Sequence, residues 1–262
     1  AKNGYKIQIK DRIKEGMMPK TIWKDARYDA STYGTKLLQK ILNEPNTFDY
    51  PKSVWAVYDA LLILLKQKDY AVVLDFFAGS GTTGHALLEL DKQLGGNRSF
   101  ILCTNNEGNI CSDVCYPRIK KVIEGYTTPN NEKIDGLKGN LKYFRTDFVE
   151  SEQTDKNKRK LVDKCTEMLC IKETAFELVK DSEKWKIFKN NEYYLGIIFD
   201  DEYINYFIKE AENIDGAIHV YIFSQDDSIP TKEFKKIKDR IILKPIPETI
   251  LKVYRMVLKN DN

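Results

Sequence analysis

The chain has 262 residues, enough for one large domain or two modest ones. Charged residues make up 31% of it, and no apolar run, Leu61–Leu65 included, approaches the roughly 20 residues that a membrane span requires. The composition therefore predicts a soluble protein. The formal net charge of +3 neither supports nor excludes a nucleic-acid partner by itself.

Positive charge is concentrated at the start of the chain. Residues 1–52 hold eleven Lys or Arg against six Asp or Glu, whereas the remaining residues hold 31 against 33. Such a segment suits a nearby phosphate backbone, and a solvated lysine-rich surface explains the charge equally well. Within the segment, alternating Tyr5, Ile7 and Ile9 predict a strand and Gly16–Pro19 predicts a turn.

A helix is predicted from Pro51 to Leu65. Proline suits the first helical position, where its missing N–H costs nothing. Apolar residues then recur on one face of the helical pattern: Val54, Val57, Tyr58, Leu61, Leu62 and Leu65.

The stretch Val72–Ala86 organises the rest of the chain. An apolar, β-branched run predicts a buried strand that ends at Asp75, three glycines follow, and an apolar helical pattern begins after them. Gly79 and Gly81 permit backbone angles and close approaches that a side chain would forbid. Because the first turn of a helix presents unpaired N–H groups, this succession predicts a cofactor site.

Two common phosphate-binding motifs fit this stretch only in part. Gly79 and Gly84 have the spacing of a Walker loop, but His85 stands where its lysine is required. The dinucleotide fingerprint Gly-x-Gly-x-x-Gly is matched by Gly79, Gly81 and Gly84, with Glu107 as a loose match for its acidic residue.

A third motif matches more residues. The nine residues Asp75–Thr83 resemble the S-adenosylmethionine motif of amino-DNA methyltransferases, Asp-x-Phe-x-Gly-Ser-Gly-Thr-Thr. The resemblance implies that the Asp75 carboxylate faces the cationic methionine end of the cofactor and that Phe77 packs near it. In permuted enzymes of this kind a Pro-Lys helix in front of the motif covers the same end. A βα turn that holds no ligand is the alternative. The candidate cofactor-binding residues are Tyr50, Pro51, Lys52, Asp75, Phe76, Phe77, Ala78, Gly79, Ser80, Gly81, Thr82, Thr83 and Glu107.

The helix after the turn is predicted to run to Leu94 and to end at Gly95-Gly96. Arg98–Cys103 predicts a second buried strand. Since ligands in α/β sheets bind beyond the carboxyl ends of the strands, the following polar residues could reach the ribose, and Glu107 is the first candidate.

A further helix and strand complete the predicted cofactor domain. The inner side of the helix is formed by Val114, Ile119, Val122 and Ile123. Gly139–Val149 is predicted as a third strand. Asp147, near its end, either approaches the adenine or serves as a capping residue.

The order of these blocks, from about Pro19 to Val149, resembles the modification subunit of type III restriction-modification systems. The resemblance implies a Rossmann-like methyltransferase core, present in part, of an enzyme that methylates adenine N6 in double-stranded DNA. It also implies a restriction subunit and a second copy of the chain as partners. The catalytic Asp-Pro-Pro-Tyr loop of that family is missing, since none of the eight prolines is adjacent to another. We therefore expect the C-terminal part of such an enzyme, inactive alone and with no catalytic residue in this chain.

Residues 151–262 predict a second, smaller α/β domain after a cofactor domain over residues 1–150. Its opening residues, 150–164, suit a linker or an exposed helix start. The elements that follow are helices over Leu161–Ile171, Tyr203–Ala211, Phe234–Arg240 and Ile250–Leu258, and strands at Trp185–Phe188, Tyr194–Phe199 and Ala217–Phe223. The aromatic residues of this domain are predicted to pack in its core and interfaces rather than to stack on bases. His219 is predicted to have a structural role.

Five cysteines and two histidines argue against a zinc site. The cysteines lack Cys-x-x-Cys spacing, which predicts reduced thiols in a cytoplasmic protein. Two other function classes stay open: a nucleotide-dependent oxidoreductase, and a non-catalytic module that assembles with a second copy or a restriction subunit.

Overall fold

The computed structural model describes residues 21–45, 48–150, 152, 154–223, 232–250 and 252–253. The predicted strand at Tyr5–Ile9 and turn at Gly16–Pro19 lie outside these residues, as does most of the predicted final helix. The chain divides into two compact units, Ala1–Arg145 and Thr146–Asn262. No helix within the described ranges is long and apolar enough to cross a membrane.

The first unit is mainly helical and contains two small sheets. Its α-helices are α1 (Leu37–Leu42), α2 (Val54–Leu65), α3 (Thr82–Leu94) and α4 (Tyr116–Glu124). The strands are β1 (Val72–Asp75), β2 (Ser99–Leu102), β3 (Gly125–Thr127) and β4 (Lys133–Asp135). Single π-helical segments, Ser31–Lys36 and Ile110–Cys115, lead into α1 and α4.

Strands β1 and β2 pair in parallel, with Val72 opposite Ser99 and Asp75 opposite Leu102. Together with the connecting helix α3 they form one βαβ unit. One face of this sheet packs on α2 and α3: Val73 and Phe100 contact the cluster that includes Leu61, Leu87 and Leu90. The predicted helix from Val54 to Leu65 and the helix ending at Gly95 are therefore confirmed.

The opposite face of the same sheet is exposed. Val72 is 67% exposed, Leu74 55% and Ile101 41%. The two strands were predicted to be buried, and this prediction is wrong for one face of the sheet. Among the described residues, helices cover only the opposite face. Apolar run length predicts a strand but does not say how many layers cover it.

A second cluster of the first unit joins α1 to α4. It is formed by Leu38, Ile41, Leu42, Val114 and Val122. Lys121 Nζ also donates to the Leu42 carbonyl oxygen at 2.9 Å. The predicted inner side of the helix after Cys111 is confirmed for Val114, Ile119 and Val122, which are buried, whereas Ile123 is half-buried.

Two local predictions, one before α2 and one where the first unit ends, are wrong. Residues 139–149 form no strand: the segment is irregular, and Phe148 is 91% exposed. No strand among the described residues pairs with it, while the antiparallel hairpin β3–β4 forms just before it. Pro51 is not the first helical residue, since α2 begins three residues later, after Ser53.

The second unit is a five-stranded sheet between helices. Its helices are α5 (Asp155–Glu173) and α6 (Ile204–Ala211), and its strands are β5 (Glu177–Asp181), β6 (Trp185–Lys189), β7 (Tyr194–Ile198), β8 (Ile218–Ile222) and β9 (Ile241–Leu243). The order is β5-β6-β7-β8-β9. Strands β5, β6 and β7 are antiparallel neighbours, while β7, β8 and β9 run parallel.

Alternate residues of the central strands face the two helices. Leu195, Ile197 and Tyr221 join the α5 cluster, whereas Ile198 and Val220 join the α6 cluster. Gly196 is required where Phe207 of α6 approaches the sheet, because a Cβ on Gly196 would lie 2.4 Å from the ring. Both faces of the central strands of this sheet are therefore covered.

Most predicted elements of the second unit are confirmed. Three strands and the helix at Tyr203–Ala211 agree within one or two residues, and α5 begins earlier than predicted, within the expected linker. The predicted helix at Phe234–Arg240 is only a short 3-10 helix, Glu233–Ile237. The edge strands β5 and β9 were not predicted, because β5 is charged and exposed throughout and β9 has only three residues.

Candidate cofactor site

Strand β1 ends at Asp75, and the carboxylate of this residue closes the turn that follows. Asp75 Oδ2 accepts a 2.6 Å hydrogen bond from the Thr83 hydroxyl, and Oδ1 accepts one from the Phe77 amide at 3.1 Å. An ionised carboxylate offers about four acceptor positions, so capacity remains for a ligand donor. The side chain predicted to face a cofactor thus also holds the start of α3 in place.

The backbone of the turn is tied to the end of β2. The Cys103 amide donates to the Asp75 carbonyl oxygen at 2.8 Å, and the Ala78 amide donates to the Cys103 carbonyl oxygen at 3.0 Å. Within the turn, the Gly81 amide donates to the Ala78 carbonyl oxygen at 2.8 Å. The turn is therefore a fixed extension of the carboxyl edge of the sheet, where ligands of α/β proteins bind.

Both central glycines adopt the backbone conformations that the sequence predicts. Gly79 has φ +51° and Gly81 has φ +77°, values that other residues adopt only with strain. A Cβ on Gly81 would also lie 3.0 Å from Cys115 Sγ, and one on Gly79 would lie 3.3 Å from the Phe48 ring. The turn has no room for side chains on its protein side.

Arg118 supports the turn from within the protein, and sequence reasoning did not find this role. The side chain is fully buried in α4. It donates to Ser80 Oγ at 3.1 Å, the Ser80 carbonyl oxygen at 3.2 Å and Thr82 Oγ1 at 2.9 Å. An arginine on the buried face of an amphipathic helix, next to Ile119 and four positions before Val122, is the signal that the sequence offers.

His85 extends this buried group along α3. Its Nδ1 lies 3.3 Å from Arg118 Nη2, and its Nε2 lies 3.8 Å from Glu89 Oε1. Because arginine only donates, Nδ1 accepts and the ring proton resides on Nε2. Burial, with a contribution from the Arg118 charge, lowers the pKa of His85 to about 4. The ring is therefore neutral at pH 7 and structural.

Three candidate aromatic residues stand at the surface. Phe77 is 91% exposed, Phe76 64% and Tyr50 93%, and Tyr50 has the strained angle φ +59°. Apolar rings held in solvent cost free energy unless something covers them. Phe48, two residues before Tyr50, contacts Gly79, which connects the Tyr50–Lys52 segment to the turn.

The Tyr50–Lys52 segment packs on the π-helical segment Ser31–Lys36. A Cβ on Gly34 would lie only 2.1 Å from the Pro51 carbonyl oxygen, so the two backbones are in direct contact. Pro51 is buried and Lys52 exposed. The Ser53 hydroxyl donates to the Arg27 carbonyl oxygen at 2.7 Å, which fixes the far end of the segment.

Glu107 follows β2 in a 3-10 turn, Glu107–Asn109. Its Oε2 accepts a 3.3 Å hydrogen bond from the Asn105 amide group, and the side chain is exposed. Asn106 instead accepts from the Cys111 and Ser112 amides and begins the next helix. Between β2 and the π-helical segment that begins at Ile110, Glu107 is thus the residue with an exposed carboxylate.

Asp147 is not placed as the sequence predicts. The strand that should present it does not form, and the residue belongs to the second unit. Its carboxylate accepts from the Phe148 amide at 2.8 Å and lies 3.3 Å from Lys164 Nζ. It therefore stabilises the approach to α5 rather than ending a strand beside β1 and β2.

The cysteines are free thiols, as predicted. Cys115, Cys165 and Cys170 are buried, and burial raises the pKa of Cys115 to about 12. In the described part of the chain, no three His, Cys, Asp or Glu side chains come together in a group able to hold a metal ion.

Comparison with known proteins adds to this geometry. Residues 1–112 match a family model described as DNA methylase. The chain is 54% identical over 59 residues to the Mod subunit of the type III restriction-modification enzyme StyLTI of Salmonella typhimurium, a match that covers 22% of this chain and 9% of that protein. It is 38% identical over 110 residues to the EcoPI Mod subunit of Escherichia phage P1, covering 40% and 16% respectively.

A third relative belongs to another type of system. The type II methyltransferase M.KpnI of Klebsiella pneumoniae is 29% identical over 130 residues, which covers 50% of this chain and 30% of that protein. The chain thus spans less than a third of each of these relatives. The comparisons confirm the predicted resemblance: over part of its length, this chain is similar to the modification subunits of type III restriction-modification systems.

Proposed function

We propose that this chain binds S-adenosylmethionine and is the cofactor-binding portion of a site-specific adenine-N6 DNA methyltransferase of the type III restriction-modification class. The observation that carries the proposal is the Asp75–Thr83 turn, which combines the nine-residue motif with two left-handed glycines at the carboxyl edge of β1 and β2. The family match of residues 1–112 supports it.

The residues around the turn fit this cofactor. Asp75 retains acceptor capacity for the cationic amino-acid end, and Phe76 and Phe77 offer uncovered rings to its apolar parts. Tyr50, Pro51 and Lys52 would cover the methionine end, while Glu107 would accept from the ribose hydroxyls. When bound, the cofactor supplies an electrophilic methyl group on its sulfonium. Ala78, Gly79, Ser80, Gly81, Thr82 and Thr83 would form the backbone cradle.

The βαβ unit of the first unit is, on this proposal, part of a Rossmann-like core. A parallel sheet of two strands with an exposed apolar face is incomplete by the standards of such cores, which bury both faces. The chain also lacks adjacent prolines, hence the Asp-Pro-Pro-Tyr loop that would accept from the target amine and stack on a flipped base. It should not transfer methyl groups alone.

The partners follow from the same proposal. Double-stranded DNA would be the substrate of the whole enzyme, and a restriction subunit and a second copy of the chain its protein partners. The basic segment 1–52 suits phosphate contacts, although its first twenty residues lie outside the described part. Binding of duplex DNA should then weaken steeply with added salt.

The test is calorimetric titration with S-adenosylmethionine, S-adenosylhomocysteine and NAD. Asp75→Ala should abolish binding of the first two ligands, because it removes both the ligand acceptor and the bond to Thr83. Asp69→Ala, an exposed aspartate before β1, is the matched control and should bind like the unmodified chain. Binding of NAD, or adenosylhomocysteine binding that survives Asp75→Ala, would overturn the proposal.

A further inference from the structure

Arg118 is a buried cation whose hydrogen bonds all go to the Gly-rich turn and the first turns of α3. Its acceptors are the Ser80 carbonyl oxygen, Ser80 Oγ, Thr82 Oγ1 and His85 Nδ1, at 2.9–3.3 Å. In the described part of the chain, no carboxylate pairs with its guanidinium within 4.0 Å. The charge is thus held by neutral oxygen and nitrogen acceptors.

Such a charge is expensive to bury. A guanidinium removed from water without a counter-charge loses hydration that neutral acceptors restore only in part. A methionine would fill the same space in α4 without this cost. What the arginine adds is a set of hydrogen bonds from Nη1 to Ser80 and Thr82, which flank Gly81, and a contact of Nη2 with His85. The planar guanidinium thus reaches the turn and α3 with two different nitrogen atoms.

The hydroxyl groups of Ser80 and Thr82 belong to residues that are only 3% and 5% exposed, next to the guanidinium. Arg118 donates to both oxygens, which lie 3.2 Å apart and share one proton between them. The bonds found among the described residues therefore use one of the two hydroxyl protons. The N-terminus of α3 and the guanidinium behind it both favour an acceptor with negative charge.

We propose that Arg118 is a positioning residue for the amino-acid end of the cofactor: by fixing Ser80 and Thr82 it places the backbone at the start of α3 to receive the carboxylate of that end. The inference rests on the proposed function. Arg118 itself, being fully buried behind the turn, does not touch the cofactor.

The experiment compares Arg118→Met, Arg118→Lys and the control Lys120→Met, which removes an exposed charge from the same helix. Calorimetry measures affinity for S-adenosylhomocysteine and for 5′-methylthioadenosine, which lacks the amino-acid end. Amide hydrogen exchange of peptides covering residues 76–86 and 155–175 measures whether the turn is loosened locally.

We expect Arg118→Met to lower adenosylhomocysteine affinity by about tenfold or more and methylthioadenosine affinity much less. Arg118→Lys should recover part of the loss, and Lys120→Met should change neither affinity. Exchange should quicken in residues 76–86 and stay unchanged in residues 155–175. Equal losses for both ligands, or an unchanged turn, would overturn the inference.

The two proposals can fail separately. If the unmodified chain binds neither ligand, the proposed function of the chain alone fails, and hydrogen exchange decides the role of Arg118. Local loss of protection in residues 76–86 would then support the positioning role. Unchanged exchange, or an equal rise in both peptides, would contradict it.

Discussion

The two sheets of this protein are built from similar apolar strands but are covered differently. In the five-stranded sheet, Leu195, Ile197 and Val220 are fully buried because α5 and α6 cover opposite faces. In the two-stranded sheet, Leu74 and Ile101 remain about half exposed because α2 and α3 cover one face. The five-stranded sheet lies within a hydrophobic core, whereas the two-stranded sheet carries the candidate site at its carboxyl edge.

Three arginines of the first unit make polar contacts between its elements. The Arg98 guanidinium lies 2.5 Å from Asp91 Oδ1, Arg27 pairs with the buried Asp59, and Arg118 holds the Gly-rich turn. Buried ion pairs fix geometry more than they add net stability. Such contacts position the residues of the first unit. They contribute less to its free energy of unfolding than the burial of apolar side chains would.

The largest expected difference comes from truncating one isoleucine in each sheet. Ile197→Ala should lower the free energy of unfolding of the second unit by about 2–5 kcal/mol, because it opens a cavity in a fully buried site. Ile101→Ala, at a residue 41% exposed, should cost the first unit less than about 1 kcal/mol. Denaturant titration, with amide hydrogen exchange of peptides from each unit as the readout, measures the stability of the two units separately. A comparable loss at Ile101 would show that its face is covered in solution.

Gly34→Ala should cost the first unit about 3 kcal/mol, at the upper end of overpacking effects. The added Cβ would lie 2.1 Å from the Pro51 carbonyl oxygen, and a backbone atom cannot move away as a flexible side chain can. Affinity for adenosylhomocysteine should fall as well, since Tyr50–Lys52 must shift. Thermal unfolding and calorimetry provide the readouts. Lys36→Ala, an exposed change in the same segment, is the control, and equal effects of the two would argue against the backbone contact.

Glu173→Gln should lower the stability of the second unit by about 1–3 kcal/mol at neutral pH, because it leaves buried donors poorly matched. Tyr221 donates to Oε1 at 2.5 Å, and His219 and Tyr193 approach Oε2 at 2.8 and 3.1 Å. Burial works to raise the pKa of Glu173, but these hydrogen bonds lower it below its ordinary value of 4.5.

The sign of the pH dependence follows from that lowered pKa. The contribution of Glu173 is fully present above pH 4.5 and is lost as the pH falls through the folded-state value. Melting curves from pH 7 to pH 3 should therefore show the gap between Glu173→Gln and the unmodified chain closing in acid. Glu177→Gln, in an exposed edge pair with Lys189, should change stability by less than about 0.5 kcal/mol throughout. A gap that stays constant with pH would contradict the role of the charge.

The smallest expected effect is that of Thr83→Val, which removes the 2.6 Å hydrogen bond to Asp75 while keeping the shape of the side chain. We expect about 1 kcal/mol less stability in the first unit and weaker adenosylhomocysteine binding. Thr127→Val in β3, an exposed residue, serves as the comparison. If both variants behave alike in calorimetry, the bond does not help to shape the site.

Elements that depend on local order along the chain were predicted well. Helices α2 and α3, the stop at Gly95 and the left-handed Gly79 and Gly81 all follow from periodicity and from glycine chemistry. The three central strands of the second unit were also predicted, since runs of β-branched and aromatic residues indicate strands.

Elements that depend on a distant partner were predicted poorly. Residues 139–149 were predicted as a strand but have no pairing neighbour in the described part of the chain, whereas the charged strand β5 forms because β6 is available. The same reason explains Asp147, whose position rests on Lys164 rather than on a strand end. A strand exists only when its hydrogen bonds are satisfied by another strand.

The amino-acid sequence by itself determined the Asp75–Thr83 motif, the conformation of its turn and the resemblance to type III modification subunits, because all three reside in consecutive residues. Three features were decided only by the tertiary structure: Arg118 supports the turn, the backbone of Pro51 contacts Gly34, and one face of the two-stranded sheet is exposed. These features depend on contacts between segments that are distant from each other along the chain. Such contacts are set by packing and by the burial of charge, which the sequence does not display.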